Sequence, residues 1–341
     1  EFGDERPPMH IKFNSCVVAT GSRPATIPIL KRDGKRILDS TDVLALDHLP
    51  ARIGVVGGGY IGIELGSALA QLGAKVTIVE AADRILAGIP NHIVSPVAKR
   101  LTELGVDVKT STTVIGDNGT QLSVKNADGE DAIDVDAVVV CAGRVPNTDD
   151  LGLEVLGVKT NDRGLIVVGD DLLVTPNIAA IGDITPGPAL AHRASAQAHV
   201  AAEVLSGHKV EYKPLAVPAV VFSNPEIATT GLTVEEAKAQ GFEATAAMFP
   251  IAASGRARTM DESAGTVQIV HTEDGTIVGA QMVGPAVSEF IGEMTLAIEM
   301  GANLQDLADT IHPHPTVSET LVESARVGMG MPIHVAPKRK R

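Results

Sequence analysis

At 341 residues and 44% hydrophobic content the chain is too long for one ordinary core, and two or three globular domains are expected. Trp is absent, aromatics make up only 2%, and the net charge is −14; base stacking has little to work with and a polyanionic partner would be repelled, which argues against nucleic acid. No signal peptide opens the sequence and no uncharged apolar run is long enough to span a bilayer, so the expectation is a soluble, cytoplasmic protein without a membrane partner.

The first ten residues, EFGDERPPMH, are polar and do not open a domain. Ile11 to Thr20 reads as a strand running into Ala19-Thr20-Gly21-Ser22-Arg23-Pro24. Ala137 to Pro146, AVVVCAGRVP, repeats that texture: an apolar strand, a glycine, and a proline three residues later. The pair fits two related nucleotide-binding halves, and equally two buried strands with turn punctuation. Cys16 and Cys141 lie in these apolar runs, far apart, and read as buried thiols of a reducing compartment.

Asp39 to Pro50 reads as a connector. Ile53 to Glu80, IGVVGGGYIGIELGSALAQLGAKVTIVE, then carries the strongest local signal. An apolar strand meets Gly57, Gly59 and Gly62 at G-x-G-x-x-G spacing, a helix with Ile63, Leu65, Leu69 and Leu72 follows, and a second strand closes on Glu80. Gly57 permits the tight turn, Gly59 admits a pyrophosphate to the backbone, and Gly62 allows close packing, while the helix N-terminus offers free N–H groups to phosphate. Glu80 sits where an acid binds the adenosine ribose and would repel a 2′-phosphate, so NAD is expected over NADP; Arg84 is the counter-indication.

A helix over Ile93–Leu104 and strands near Val106–Lys109, Leu122–Lys125 and Ala137–Val140 follow, with a hairpin turn at Asn126–Gly129. This makes a doubly wound unit of roughly Leu49 to Gly143 with an antiparallel insertion. Val174 to Asp183 is a short strand whose terminal aspartate could accept hydrogen bonds from a polyol or cap a turn. Ala189 to Leu205 is an alanine-rich helix; His192 and His199 share a face of it and, lacking further ligands at metal spacing, read as packing residues. From about Pro214 an α+β domain is expected, with strands at Val217–Phe222, Glu243–Phe249, Gly265–His271 and Ile277–Val283. Helices are expected at Thr233–Gln240, Ser288–Met300 (buried stripe Ile291, Met294, Ile298) and Asn303–Thr310, with a hairpin at Asp274-Gly275.

Near the end stands IHPHPTVSE, 311–319. His314, between two prolines, is held stiffly, and Glu319 falls in the first turn of the next helix, where its ionised form is favoured. The pair suits proton transfer, the carboxylate fixing the imidazole tautomer; it also suits a rigid turn with a capping acid. Metal binding by His312 and His314 lacks a third ligand, so no metal is expected. The basic end, Lys338 to Arg341, reads as a solvated tail or a targeting signal.

The ordered set ATG, GGGYIGIE, IVE, CAGRVPN, AAIGD, LAHRA, NPEIATTG and HPHPTVSE resembles the dihydrolipoamide dehydrogenases among the pyridine nucleotide-disulfide oxidoreductases, over essentially the whole chain. The resemblance implies an α/β fold: a doubly wound NAD-binding domain (residues 49–145), a partial FAD-binding domain (1–48 and 146–213), and an α+β C-terminal dimerisation domain (214–341). It implies a cytoplasmic homodimeric flavoprotein with FAD and NAD, serving the lipoyl domain of a 2-oxo acid dehydrogenase complex. Electrons would pass from dihydrolipoamide to a redox disulfide and through FAD to NAD. Gly57, Gly59, Gly62 and Glu80 would hold NAD with Glu64 near the nicotinamide, and Gly143 and Arg144 belong to the GRxPN signature. Asp183 would bind the FAD ribityl chain, Ala191 would lie by the isoalloxazine, and Thr20 and Gly21 near the FAD phosphate end. His314 with Glu319 would be the acid/base reaching the partner subunit's disulfide.

This sequence departs from the pattern in one respect: the family's first G-x-G-x-x-G and its C-x-x-x-x-C pair precede the ATG strand, and neither occurs here. A complete enzyme would be longer, and a fragment without the redox disulfide is expected. Glutathione reductases share the HPT-x-x-E ending but favour NADP, against Glu80; mercuric reductases carry a C-terminal cysteine pair, absent after Met331. A non-catalytic nucleotide-binding dimer scaffold is the reading from a different class.

Overall fold

The computed structural model describes residues 10–336, so the opening nine residues and the basic end lie outside the described residues. The chain divides into two compact units, one of residues 1–23 with 144–213 and the other of 24–143 with 214–341.

In the first unit, strand Cys16–Val18 pairs parallel with Ile178–Ala180, which pairs antiparallel with Leu173–Thr175. The predicted strand over Ile11–Thr20 thus contracts to three residues at the edge of a small sheet. Cys16 is accordingly half-buried, as is Cys141; both are free thiols, as expected, though less deeply buried than their apolar runs suggest. Ile184 and Ile166 pack under this sheet with Ala180. Helix Ala191–Leu205 covers it with Ala201, near Leu172 and Ile181. Its buried residues are Arg193, Gln197 and Ala201, four apart, whereas His192 and His199 are exposed. Their expected packing role is therefore wrong: the inward stripe begins one residue after His192, and two of its members lie two residues either side of His199.

In the second unit the five-stranded sheet runs Ile37–Leu38, Ala137–Val140, Arg52–Val56, Lys75–Val79, Asp107–Lys109, all pairings parallel. Such strands are buried on both faces, which explains their unbroken Val/Ile runs. Alternation sends Ile53, Val55, Val76, Ile78, Ala137 and Val139 toward helices Tyr60–Gln71 and Asn91–Glu103. Val56, Val79, Val138 and Val140 face instead the antiparallel insertion through Leu122, Val124 and Val135. That insertion is three strands, Thr113–Asp117, Gln121–Asn126 and Gly129–Asp134. Strand Gly129–Asp134 is polar and largely exposed, and Thr113–Asp117 buries no residue fully, so no apolar alternation marks either. The Asp39–Pro50 connector holds a short helix, Ser40–Leu44, started by a capping box between Asp39 and Asp42.

The same unit contains an antiparallel sheet in the order Ala219–Val221, Glu226–Gly231, Ile277–Gly284, Thr266–Thr272, Ala244–Pro250. The second of these strands was not anticipated, because Ala228, Thr229 and Thr230 carry little apolar bulk. Helix Val287–Glu299 packs on this sheet through Ile291, Met294 and Ile298, as expected. Helix Glu319–Gly328 buries Leu321 and Ala325 in the same core and ties Ser324 Oγ to the Ala247 carbonyl. No helix among the described residues is long and apolar enough to cross a membrane, and no group of His, Cys, Asp and Glu among them could hold a metal.

Candidate functional site

Each glycine of the turn after Arg52–Val56 can be tested by asking what a Cβ would meet. At Gly57, φ is +113° and a Cβ would lie 2.4 Å from the Cys141 carbonyl oxygen. At Gly62 it would lie 1.9 Å from the Gly57 carbonyl oxygen, so the helix can start this close to the turn only without a side chain. Gly58, which spacing alone did not single out, would meet Ile85 at 2.9 Å and Glu80 at 3.1 Å. Gly59 is different: its Cβ would meet nothing within 4 Å. The protein's own packing does not require a glycine there, and the position is open to an approaching group. Gly59 also caps helix Tyr60–Gln71 without a side-chain hydrogen bond, and the first turn holds no acid, leaving the positive end of the helix open to an anion.

Glu80 reaches back across this turn. Its Oε2 accepts from the Gly58 N–H at 2.5 Å and its Oε1 from the Ala82 N–H at 2.6 Å. The acid expected at the ribose thus also fixes the glycine loop. Arg84, the counter-indication for NAD, donates to the carbonyl oxygens of Ala87 and Ile89 and is occupied in its own loop. Glu64, on the helix, accepts from the Phe222 N–H at 2.8 Å. Burial pushes its pKa above the usual carboxylate value, and that hydrogen bond only partly offsets the shift. Gly143 adopts φ +103° and accepts at its carbonyl from the Ala25 N–H at 2.9 Å.

In the first unit, Thr20 and Gly21 are cross-tied to Asn147: Thr20 Oγ1 donates to the Asn147 carbonyl, Asn147 Nδ2 to the Thr20 carbonyl, and Asn147 N–H to the Gly21 carbonyl. Ser22 Oγ donates to Asp183 Oδ2 at 2.5 Å and accepts from Arg144 Nε at 2.6 Å. Arg144 Nε also stands 3.9 Å from that Asp183 oxygen. Asp183 and Arg144, predicted separately, are therefore brought together through Ser22, which no local motif marked. Asp183 keeps its second oxygen available beside the uncapped start of helix Ala191–Leu205, where Ala191 is the exposed first residue. A carboxylate able to accept hydrogen bonds from hydroxyls, next to free helix N–H groups, fits a polyol chain bearing a polar ring, and so fits FAD.

At the C-terminal site, His314 Nδ1 lies 2.9 Å from Glu319 Oε1, while Glu319 Oε2 accepts from the Thr316 N–H at 2.8 Å. The His314–Pro315 bond is cis. The ionised carboxylate can only accept, so Nδ1–H donates to it and Nε2 is left without a partner among the described residues, on a ring 79% exposed. Partial burial alone would raise the Glu319 pKa; the Thr316 N–H and the His314 ring outweigh it and set the net value below the usual one. His312 is turned inward, with Nε2 2.9 Å from Glu293 Oε1 and Nδ1 3.0 Å from the Thr310 carbonyl, and anchors the segment that carries His314.

The doubly wound sheet with its glycine turn and the α+β domain that follows it define a nucleotide-dependent oxidoreductase. The chain belongs to the pyridine nucleotide-disulphide oxidoreductase family, which it matches over residues 4–198, with that family's dimerisation domain matched over 217–325. The chain is an oxidoreductase of this family, and its dihydrolipoyl dehydrogenase relatives use FAD and NAD. Among its relatives are the dihydrolipoyl dehydrogenases of Geobacillus stearothermophilus, 47% identical over 96% of this chain and 70% of that protein, and Staphylococcus aureus, 45% identical over 97% and 72%. Similar solved structures include the HOCl-induced flavoprotein disulfide reductase RclA from Escherichia coli, with a TM-score of 0.81 and 31% identity over 90% of this chain and 72% of that one. LpdA from Mycobacterium tuberculosis gives a TM-score of 0.83 at 29% identity, over 91% of this chain and 68% of that one.

Proposed function

We propose that the chain carries the NAD-binding, dimer-forming and part of the flavin-binding machinery of a cytoplasmic dihydrolipoyl dehydrogenase, organised as residues 1–48 and 146–213 for FAD, 49–145 for NAD and 214–341 for the homodimer interface. The relatives at 45–47% identity carry that name, and the observation that supports it best here is the His314–Glu319 pair, with Nε2 free on an exposed ring. FAD, when bound, supplies the two-electron relay between a dithiol and NAD. Gly57, Gly59 and Gly62 admit the NAD pyrophosphate, Glu80 selects the unphosphorylated ribose, and Glu64 stands on the nicotinamide side of the helix. Thr20, Gly21, Asp183 and Ala191 hold FAD, with Arg144 supporting Asp183 through Ser22. His314 takes the proton from a dihydrolipoyl thiol, presented by the lipoyl domain of a 2-oxo acid dehydrogenase complex, and Glu319 stabilises the imidazolium that forms.

The residues of this sequence do not supply the disulfide that such a thiol attacks. Its two cysteines are not spaced as a pair, and burial pushes the Cys141 thiol up to about 12. The test is to titrate the purified chain with NADH and NADPH and assay dihydrolipoamide-dependent NAD reduction. NADH binding in preference to NADPH, with no turnover, is expected. A preference for NADPH overturns the assignment, and substantial turnover by homogeneous material overturns the account of the missing disulfide.

A further inference from the structure

The proposed flavin site depends on a loop, residues 182–188, that presents Asp183, and that loop is held by a side chain no motif assigns. Arg193 lies two residues into helix Ala191–Leu205 from its start and is 5% exposed. Its Nη1 donates to the carbonyl oxygens of Gly182 and Pro188 at 3.4 and 3.3 Å, and its Nη2 to Thr185 Oγ1 at 3.2 Å and to the Pro186 carbonyl. Among the described residues no carboxylate pairs with it. A buried guanidinium is normally matched with an acid; this one is satisfied entirely by a single loop's carbonyls and hydroxyl.

The loop is shaped to receive it. A Cβ at Gly187, where φ is +123°, would lie 2.7 Å from the guanidinium carbon and from Nη2, so the position is clear for Arg193 alone. One helical turn on, buried Gln197 accepts from the Gly182 N–H at 2.8 Å through Oε1. Thr185 closes the bend, its N–H and hydroxyl both donating to the Gly182 carbonyl. Arg193 and Gln197 together tie down the backbone around Asp183, whose carboxylate accepts from Ser22 Oγ.

We propose that Arg193 is a positioning residue of the flavin site, a buried guanidinium that sets the 182–188 loop so that Asp183 meets the polyhydroxyl chain of the cofactor. The proposal rests on the reading of Asp183 as an FAD ligand. A fork with five donors in one plane meets four acceptors spread along the loop; an ammonium has three donors and an alkyl chain none.

The test uses the full chain with Arg193→Met, Arg193→Lys and Gly187→Ala, the last displacing the guanidinium while leaving Arg193 in place. Amide hydrogen exchange by mass spectrometry, without cofactor, reports the loop; FAD titration followed by flavin fluorescence reports the site. Exchange over 182–188 is expected to rise in Arg193→Met and Gly187→Ala while amides of the 244–284 sheet keep their protection. FAD affinity should fall at least tenfold, with partial recovery in Arg193→Lys. Unchanged exchange over 182–188 in Arg193→Met overturns the clamp itself. Faster loop exchange with wild-type FAD affinity shows a structural role only and overturns the proposal. A wild-type chain that takes up no FAD fails on the underlying cofactor reading, and the proposal falls with it.

Discussion

Two glycines three residues apart should fail in opposite ways when given the same methyl group. At Gly62 the Cβ would stand 1.9 Å from the Gly57 carbonyl oxygen, part of a turn that is itself committed by a φ of +113°. Turn and helix must separate by roughly an ångström, and overpacking of that kind costs about 1–3 kcal/mol. The gain from Ala over Gly inside a helix returns up to about 1 kcal/mol. A net loss of about 1–2 kcal/mol lowers the midpoint of thermal unfolding by roughly 2–8 °C for a unit of this size. At Gly59 the Cβ would meet nothing within 4 Å, and φ is an ordinary −75°. Gly59→Ala should therefore cost only the poorer helix cap, about 0.5–1 kcal/mol. Its methyl group, however, stands where a pyrophosphate must approach the helix N–H groups. Loss of one charge-assisted hydrogen bond, about 1.5–3 kcal/mol, corresponds to roughly 10- to 150-fold weaker NADH binding. Differential scanning calorimetry and isothermal titration with NADH separate the two effects. If Gly59→Ala binds NADH within about twofold of wild type, the open cradle is not the pyrophosphate site and the reasoning fails.

Other outcomes follow from the same geometry. Glu80→Ala strips acceptors from the Gly58 and Ala82 N–H groups, and should lower thermal stability as well as narrow the preference for NADH over NADPH; Arg84→Ala, which touches only loop carbonyls, should leave that preference unchanged in parallel titrations. Because the Glu319 pKa is depressed on folding, its contribution to stability is present above the unfolded value near 4.5 and is lost as pH falls through the lower folded value. Glu319→Gln should remove that part of the acid slope, read from thermal melts across the acid range; an unchanged slope refutes the pairing with His314. With its thiol near 12, Cys141 is about one part in ten thousand thiolate at pH 8, so iodoacetamide should spare it in the native chain and alkylate it in denaturant, as followed by peptide mass spectrometry.

Much of the candidate site's geometry was readable because it is local. The G-x-G-x-x-G turn, its helix and Glu80 lie within one strand–helix–strand unit, and His314 reaches Glu319 across five residues. The strand Glu226–Gly231 was missed because its inward residues include small and hydroxylated side chains, Ala228 and Thr230, whose burial comes from neighbours on both sides in the sheet. His192 and His199 were placed on the wrong face because an alanine-rich helix has too weak an apolar stripe to show which side is inward.

What the amino-acid order determined by itself is what a few consecutive residues can enforce: where the helices start, which glycines form the turn, and that an acid follows the second strand. The contacts that finish the site join distant parts of the chain. Ser22 meets Asp183 across 161 positions, Glu64 meets the Phe222 N–H across 158, and the guanidinium of Arg193 finds its acceptors only once the loop has folded over it. Such pairings depend on strand order and on which residues are left facing the same space after the core has packed. No periodicity carries that information, so only the tertiary structure could decide it.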